Sequence, residues 1–195
     1  MPDAVAGVIM AAGRSSRMGS PKALLDAGGA SFLARILYAL REGGASPLLV
    51  VVADLAGPIA EEASGHGGVV VLNPDPSEGP ITSLRAGLRA LSREVAAVLL
   101  CPVDHPLFEP STARALIQSF LEARPPLLVP VFQGRRGHPV LLGREVFPEL
   151  LEGNLPEGAR TVVRRYLQER LQVPVDDPGI LVDIDTPDDY RSHFP

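Results

Sequence analysis

The 195-residue sequence carries a formal net charge of −5, and 46% of its residues are apolar. This composition suits one globular domain with a sizeable core, which we predict over residues 1–195, and it argues against a disordered chain. The negative charge also argues against a nucleic-acid binder held by a positive field, so an anionic substrate would need a local cluster of cations.

Two further features bear on location. Cys101 is the only cysteine, so neither an intrachain disulfide nor a cysteine metal cluster can form. The apolar run from Ala4 to Ala12 has no Lys or Arg before it and is shorter than the roughly 20 residues that a membrane span needs. We therefore expect a cytoplasmic protein with no membrane partner.

The first half of the chain alternates strand and helix patterns. Val5–Met10 is a continuous apolar run of the kind found in a buried strand. A helix follows, with Ser31 as a plausible N-cap and Gly43-Gly44 as its end, and its apolar stripe is Leu33, Ile36, Leu37 and Leu40. Further strands are predicted at 48–53, 68–72 and 97–101, with a helix from about 81 to 92.

The second half predicts a helix capped by Ser111 or Thr112, and then two strands at 127–132 and 138–142 joined by a glycine-bearing loop. A helix near 159–167, a short strand at 180–184 and a helical turn from Pro187 complete the pattern. Alternating strands and helices predict an α/β fold, a mostly parallel central sheet in a three-layer, Rossmann-like arrangement. Ligands in such folds lie beyond the carboxyl ends of the strands.

The loop after the first strand, residues 10–22, is the most informative segment. It combines small residues, two glycines and the cations Arg14, Arg17 and Lys22. Small residues allow backbone N–H groups to approach a phosphate, and Arg17 and Lys22 can neutralise a triphosphate. The spacing fits neither the dinucleotide-binding glycine motif nor the P-loop. A solvated surface loop is the alternative for each cation alone, whereas the whole set favours phosphate binding.

Two acidic sites follow later strands. Asp104 lies just past the strand at 97–101, at the ligand-binding edge, where a carboxylate suits Mg²⁺. Asp183 and Asp185 would point the same way in a strand because the side-chain period is two. Asp188 and Asp189 fit the first turn of the last helix. Helix capping is the alternative for each acidic residue.

The loop at 10–22 resembles the Leu-Ala-Ala-Gly-x-Ser-x-Arg-Met-Gly-x-x-Lys signature of the MobA-like nucleotidyltransferases, with Met10 in place of Leu. Pro21–Leu25 is similar to the molybdenum cofactor cytidylyltransferase (MocA-like) branch. The resemblance implies that Ala11, Ala12 and Gly13 lie against the nucleotide together with Arg14. It also implies that Arg17 holds the outer phosphates and that Lys22 stabilises charge at the α-phosphate.

The resemblance extends along the chain. Asp104 and Pro106 match a metal-binding Asp-x-Pro, and the residue before Thr186-Pro187 matches the second ligand, which implies a metal on Asp104 and Asp185. Asp183 would support or share that ligation. Thr82 and Ser83 match a loop that contacts base and ribose, although capping of the helix is an equally good reading. His138 and Arg160 match acceptor-binding positions, and the Gly-Asp that usually precedes the latter is missing.

These matches imply an enzyme that transfers CMP from CTP to a phosphorylated acceptor, the molybdenum cofactor, with release of pyrophosphate. Lys22, Arg17 and Asp104 would be catalytic, with Mg²⁺ or alternatively Mn²⁺ as the metal. A molybdoenzyme or its maturation chaperone is the protein partner that this implies. A GTP- or UTP-using enzyme, acting on the same cofactor or on a sugar phosphate, and a non-catalytic nucleotide-binding protein remain alternatives.

Overall fold

The computed structural model describes residues 3–13, 18–152 and 154–194. The strands in these ranges are β1 Ala4–Met10, β2 Leu48–Val52, β3 Val69–Leu72, β4 Val95–Pro102, β5 Leu127–Phe132, β6 Arg135–Arg136, β7 Val140–Gly143 and β8 Leu171–Pro174. The helices are α1 Phe32–Glu42, α2 Pro58–Gly65, α3 Pro80–Ala90, α4 Pro110–Ala123, α5 Phe147–Leu151, α6 Ala159–Arg165 and α7 Pro187–His193.

The strands form one sheet in the order β3-β2-β1-β4-β7-β5-β6, and β8 also pairs with β5. Leu128 pairs with Leu141 of β7 and with Leu171 of β8, so these two strands lie on opposite edges of β5. β1 to β4 are mutually parallel, β7 runs antiparallel to β4 and β5, and β8 is parallel to β5. The predicted mostly parallel sheet is confirmed.

Helices cover both faces of the sheet, because side chains alternate along each buried strand. In β1, Val5 and Ile9 face a core that α1, α2 and α4 complete. Ala6 and Val8 face the opposite core, which α3, α5 and α6 complete. The result is the expected three-layer arrangement, with the carboxyl ends of β1 and β4 open between the helical layers.

The α1 prediction is confirmed at both ends. Ser31 accepts a hydrogen bond from the Ala34 amide at 3.0 Å, and the helix ends at Glu42 before Gly43. Three elements were not predicted: α2, α5 and β8. α2 buries only two alanines, α5 has five residues, and β8 contains Pro174 and is mostly exposed, so none shows a long apolar period.

Two boundaries in the second half were predicted wrongly. α4 begins at Pro110 with Glu109 at the N-cap, so neither Ser111 nor Thr112 caps it. The Thr112 hydroxyl is buried and donates instead to Asp177 at 2.6 Å. The strand expected at 180–184 is a 3-10 turn over Pro178–Leu181 followed by extended backbone, because Pro178 opens the turn and Asp177 accepts from the Gly179 amide.

The loop predicted at 133–137 contains the two-residue strand β6, which pairs with β5, and the following strand β7 begins at Val140 instead of His138. The His138 amide donates to the Ile180 carbonyl at 2.9 Å, which removes that residue from the β5 ladder. Gly137 lies so close to this carbonyl that an added Cβ would be 2.1 Å from the Ile180 oxygen. The hairpin is thereby pinned against the 3-10 turn.

No helix in the described ranges is long and apolar enough to cross a membrane.

Candidate functional site

A cavity of about 450 Å³ opens at the carboxyl ends of β1 and β4. Its wall combines the loop after β1, the segment leading into α3, the end of β4 and one residue near the chain's end. The lining residues are Met10, Ala12, Gly13, Lys22, Pro76, Gly79, Pro80, Ser83, Pro102, Val103, Asp104 and Asp185. We call this the first cavity.

The loop after β1 contributes as the sequence predicts, with one correction. Ala12 and Gly13 line the first cavity, but Ala11 is buried and does not. The Ala11 amide donates to the Val51 carbonyl at 2.9 Å and therefore cannot meet a phosphate. Arg14 and Arg17 lie outside the described residues.

Lys22 is the centre of the first cavity's charge. A 3-10 turn over Lys22–Leu24 places it in the wall, where the residue is only 8% exposed. Its Nζ lies 3.5 Å from Asp104 Oδ2 and donates to Asp185 Oδ1. Lys22 is also the only lysine in the sequence, and the sequence analysis did not use this fact. The structure thus brings three of the predicted site residues, Lys22, Asp104 and Asp185, together around one ammonium group.

A cluster of metal-ligand groups adjoins this ion pair. One ligand atom each from Asp104, His105 and Asp183 lies within 4.8 Å of the others. Asp104 Oδ1 is buried and has no hydrogen-bond partner among the described residues. Burial, followed by the charge of Asp104, raises the pKa of the Asp183 carboxyl. The cluster differs from the expected pair of Asp104 and Asp185, because Asp185 is engaged by Lys22 while His105 and Asp183 lie beside Asp104.

These donors fit a divalent cation. Carboxylate oxygens are the ligands that Mg²⁺ and Mn²⁺ prefer, and an imidazole nitrogen is better suited to Mn²⁺. A cation would give the orphaned Asp104 oxygen a partner and would relieve the repulsion between the carboxylates. The sequence predicted Asp104 as a ligand and left Asp183 open, since the packing of the last loop decides which carboxylate lies beside Asp104.

The loop before α3 is organised by a residue that the sequence analysis did not select. Asn73, almost fully buried just past β3, donates to both Thr82 Oγ1 and Ser83 Oγ at 2.9 Å. The Thr82 hydroxyl also bonds within the loop and Thr82 does not line the first cavity, whereas Ser83 does. Gly79, not a hydroxyl side chain, occupies the N-cap of α3. Thr82 therefore shapes the loop, and of these two hydroxyl residues Ser83 is the one that lines the first cavity.

A second cavity, of about 550 Å³, lies on the other side of the metal-ligand cluster. His138 and Arg160, the two predicted acceptor residues, both line it although they lie on separate segments. His105 joins them, and its ring centroid is 4.4 Å from that of His138. Burial, with a smaller effect of His105, lowers the pKa of His138 to about 4, so this ring is neutral near pH 7.

The turn at the end of the chain holds Asp185 in place. The Thr186 hydroxyl accepts from the Asp189 amide, and the Asp189 carboxylate accepts from the amides of Asp185 and Thr186. Asp188 and Asp189 occupy the first turn of α7, as the sequence predicts. Since an N-terminal carboxylate stabilises a helix, α7 and the orientation of Asp185 support each other.

Comparison with known proteins finds relatives that match most of this chain. A molybdenum cofactor guanylyltransferase from Sinorhizobium fredii is 32% identical over 89% of this chain and 78% of its own length. A molybdenum cofactor cytidylyltransferase from Escherichia coli is 25% identical over 94% of this chain and 92% of its own. A Mycobacterium tuberculosis protein, solved as a complex with manganese, superposes with a TM-score of 0.77 at 28% identity, covering 97% of each chain.

A model of the MobA-like NTP transferase domain matches residues 7–171. This range includes the loop after β1, Lys22 and Asp104. It also includes every residue that lines the second cavity except Ile180 and Leu181. The match covers most of the sequence, and the solved Mycobacterium tuberculosis structure shares the fold. The chain therefore belongs to the MobA-like NTP transferase family.

Proposed function

We propose that this chain transfers the CMP moiety of CTP to the phosphate group of the molybdenum cofactor and releases pyrophosphate. The observation that carries the proposal is the position of Lys22: a buried ammonium group in the wall of the first cavity, between Asp104 and Asp185. The names of the Sinorhizobium and Escherichia relatives support the acceptor.

The reaction is an in-line displacement at phosphorus. An oxygen of the acceptor phosphate attacks the α-phosphorus of the nucleotide, a new P–O bond forms, and the bond from the α-phosphorus to the bridging oxygen breaks. The electron pair of that bond leaves on pyrophosphate. Because the attacking phosphate is already anionic, little proton transfer is needed, and positioning together with charge neutralisation accounts for the catalysis.

Three residues that line the first cavity have a role in this scheme, and so does Arg17, which lies outside the described residues. Lys22 neutralises charge that develops on the α-phosphate, and the backbone of Ala12 and Gly13 lies along the nucleotide. Arg17 holds the outer phosphates. Burial of Lys22 strengthens its interaction, because charges interact more strongly where water is excluded.

Mg²⁺, or alternatively Mn²⁺, would supply Lewis-acid polarisation of the phosphate oxygens. Asp104 would hold the ion, with Asp183 or Asp185 as the second carboxylate. The unpartnered Asp104 Oδ1 and the ligand cluster support this assignment, and so does the manganese complex of the Mycobacterium tuberculosis protein.

CTP is proposed as the nucleotide because Ala12, which is 4% exposed, puts a methyl group into the wall of the first cavity. Guanylyl members of the family resemble Leu-Ala-Gly-Gly here, and the added methyl crowds a purine more than a pyrimidine. GTP is the second candidate, favoured by the 32% identity to the Sinorhizobium guanylyltransferase.

Pyrophosphate release, measured with CTP, GTP, UTP and ATP in the presence and absence of molybdenum cofactor, tests the proposal. We expect release that requires both the cofactor and a divalent cation, and that is fastest with CTP. Release without the cofactor, or with a sugar phosphate alone, would assign a different acceptor. No release under any combination would contradict an enzymatic role.

A further inference from the structure

The second cavity is lined by positively charged side chains, and the family resemblance gave a role to only one of them, Arg160. Its wall includes Arg135 and Arg136 of β6 as well as Arg160 at the start of α6. None of the residues that line it is an aspartate or a glutamate. In a chain of net charge −5, three guanidinium groups around one opening are a local concentration of positive charge that would attract an anion.

These three side chains are also free to bind. Within the described ranges, Arg135, Arg136 and Arg160 make no side-chain hydrogen bond or ion pair. Other surface arginines do pair with carboxylates, namely Arg124 with Asp3, Arg164 with Glu157, Arg165 with Glu149 and Arg191 with Asp188. Unpaired guanidinium groups retain their planar donor forks, which match phosphate oxygens.

The backbone that carries the first two arginines is fixed. Arg136 pairs with Val131 and Arg135 with Phe132 in the β5–β6 ladder. The Gly137 amide donates to the Pro130 carbonyl, and the His138 amide donates to the Ile180 carbonyl. A binding group mounted on a fixed backbone loses less conformational freedom when it meets a ligand than one on a mobile loop.

Two consecutive residues, Asp104 and His105, relate the second cavity to the first. Asp104 lines the first cavity and His105 lines the second, so the metal-ligand cluster lies between the two. An anion held in the second cavity would therefore lie beside the metal-ligand cluster, because His105 belongs to both.

We propose that Arg135 and Arg136 form an anion-binding subsite that, together with Arg160, selects an acceptor with more than one anionic group. A single phosphate can be satisfied by one or two guanidinium forks, so the third is available for a further anionic group of the acceptor. This inference rests on the proposed function for the identity of the bound molecule, but not for the presence of the subsite.

The kinetic test compares Arg135→Gln/Arg136→Gln with a matched control, Arg89→Gln/Arg93→Gln. Arg89 and Arg93 are exposed, line neither cavity and have no side-chain partner in the described part of the chain. In cofactor-dependent pyrophosphate release, we expect the first variant to raise the acceptor KM at least tenfold, with the nucleotide KM unchanged within twofold. Arg135→Lys/Arg136→Lys should recover part of the acceptor KM because it restores the charge without the fork. The control should match the wild type.

Equal acceptor KM values in the cavity variant and the control would overturn the proposal. So would an equal rise in the KM values of acceptor and nucleotide, because a subsite confined to the second cavity cannot weaken the nucleotide.

A binding experiment tests the anion-binding subsite independently of the proposed function. Inorganic phosphate is titrated into the wild type while the guanidinium Nε–H signals of Arg135 and Arg136 are followed by NMR, assigned by their loss in the single Gln variants. We expect saturable shifts that equal concentrations of chloride do not reproduce. Phosphate-dependent shifts without cofactor-dependent turnover would retain the subsite and reject the proposed acceptor, whereas unshifted signals would reject the subsite.

Discussion

The Lys22 ammonium nitrogen lies 3.5 Å from Asp104 Oδ2 in the wall of the first cavity. The family resemblance implies that Lys22 neutralises charge on the α-phosphate and that Asp104 binds the metal. Since each lowers the cost of burying the other, removing either side chain alters the charge that the remaining one faces.

Asp104→Ala should abolish metal-dependent turnover while the protein remains folded. Loss of the carboxylate removes a ligand and a charge at the reaction centre, which we expect to reduce kcat by at least about a hundredfold. Turnover and Mn²⁺ binding by calorimetry are the measurements, and Asp3→Asn is the control because its carboxylate pairs with Arg124 on the surface. Mn²⁺ affinity and turnover close to wild type in the purified variant would refute the metal role.

Lys22→Ala should lower kcat more than it weakens nucleotide binding. An interaction that strengthens as charge develops at phosphorus acts on the chemical step, and we expect a loss of about a hundredfold in kcat with a few-fold change in nucleotide Kd. Because this is the only lysine, selective ¹⁵N-lysine labelling gives one side-chain signal. That signal should shift when nucleotide is added. Lost binding with unchanged kcat at saturation would make Lys22 a ground-state anchor only.

The wild type should prefer CTP to GTP, and Ala12→Gly should shift that preference toward GTP. A methyl-sized difference in a pocket discriminates by roughly 10- to 200-fold, so one residue sets only part of the choice. Direct competition between the two nucleotides in both proteins is the measurement. Equal use by the wild type, or an unchanged ratio in the variant, would remove Ala12 from the base pocket.

Asp177→Ala should destabilise the fold strongly. The residue is 3% exposed, and its carboxylate accepts from the Glu109 amide at 2.8 Å, the Thr112 hydroxyl at 2.6 Å and the Gly179 amide at 2.9 Å. Its removal leaves three donors without a partner, which should cost about 3 kcal/mol in the free energy of unfolding. The adjacent Asp176 is exposed, so Asp176→Ala should stay within about 0.5 kcal/mol. Urea unfolding of both variants would decide, and equal midpoints would contradict the bridging role.

The sequence predicted most of the sheet because β1, β2 and β4 are continuous apolar runs between helices with clear periodicity. It located the first cavity because the loop after β1 and Asp104 both follow strand ends. It did not separate Asp183 from Asp185, since that choice depends on how the last segment packs against Lys22. Arg135 and Arg136 resemble solvated loop residues until the Gly137 contact with Ile180 places them on the second cavity.

The ion pair between Lys22 and Asp185 spans 163 residues of sequence. A chain emerging from the ribosome therefore makes the loop after β1 long before Asp185 is added. Until then, the Lys22 ammonium group lacks the second carboxylate that the folded protein places beside it, and Asp104 is the one acidic residue of this ion-pair cluster that has been made. We infer that the charge pattern of the first cavity is completed only after all the strands named above have been made, because β8 ends at Pro174.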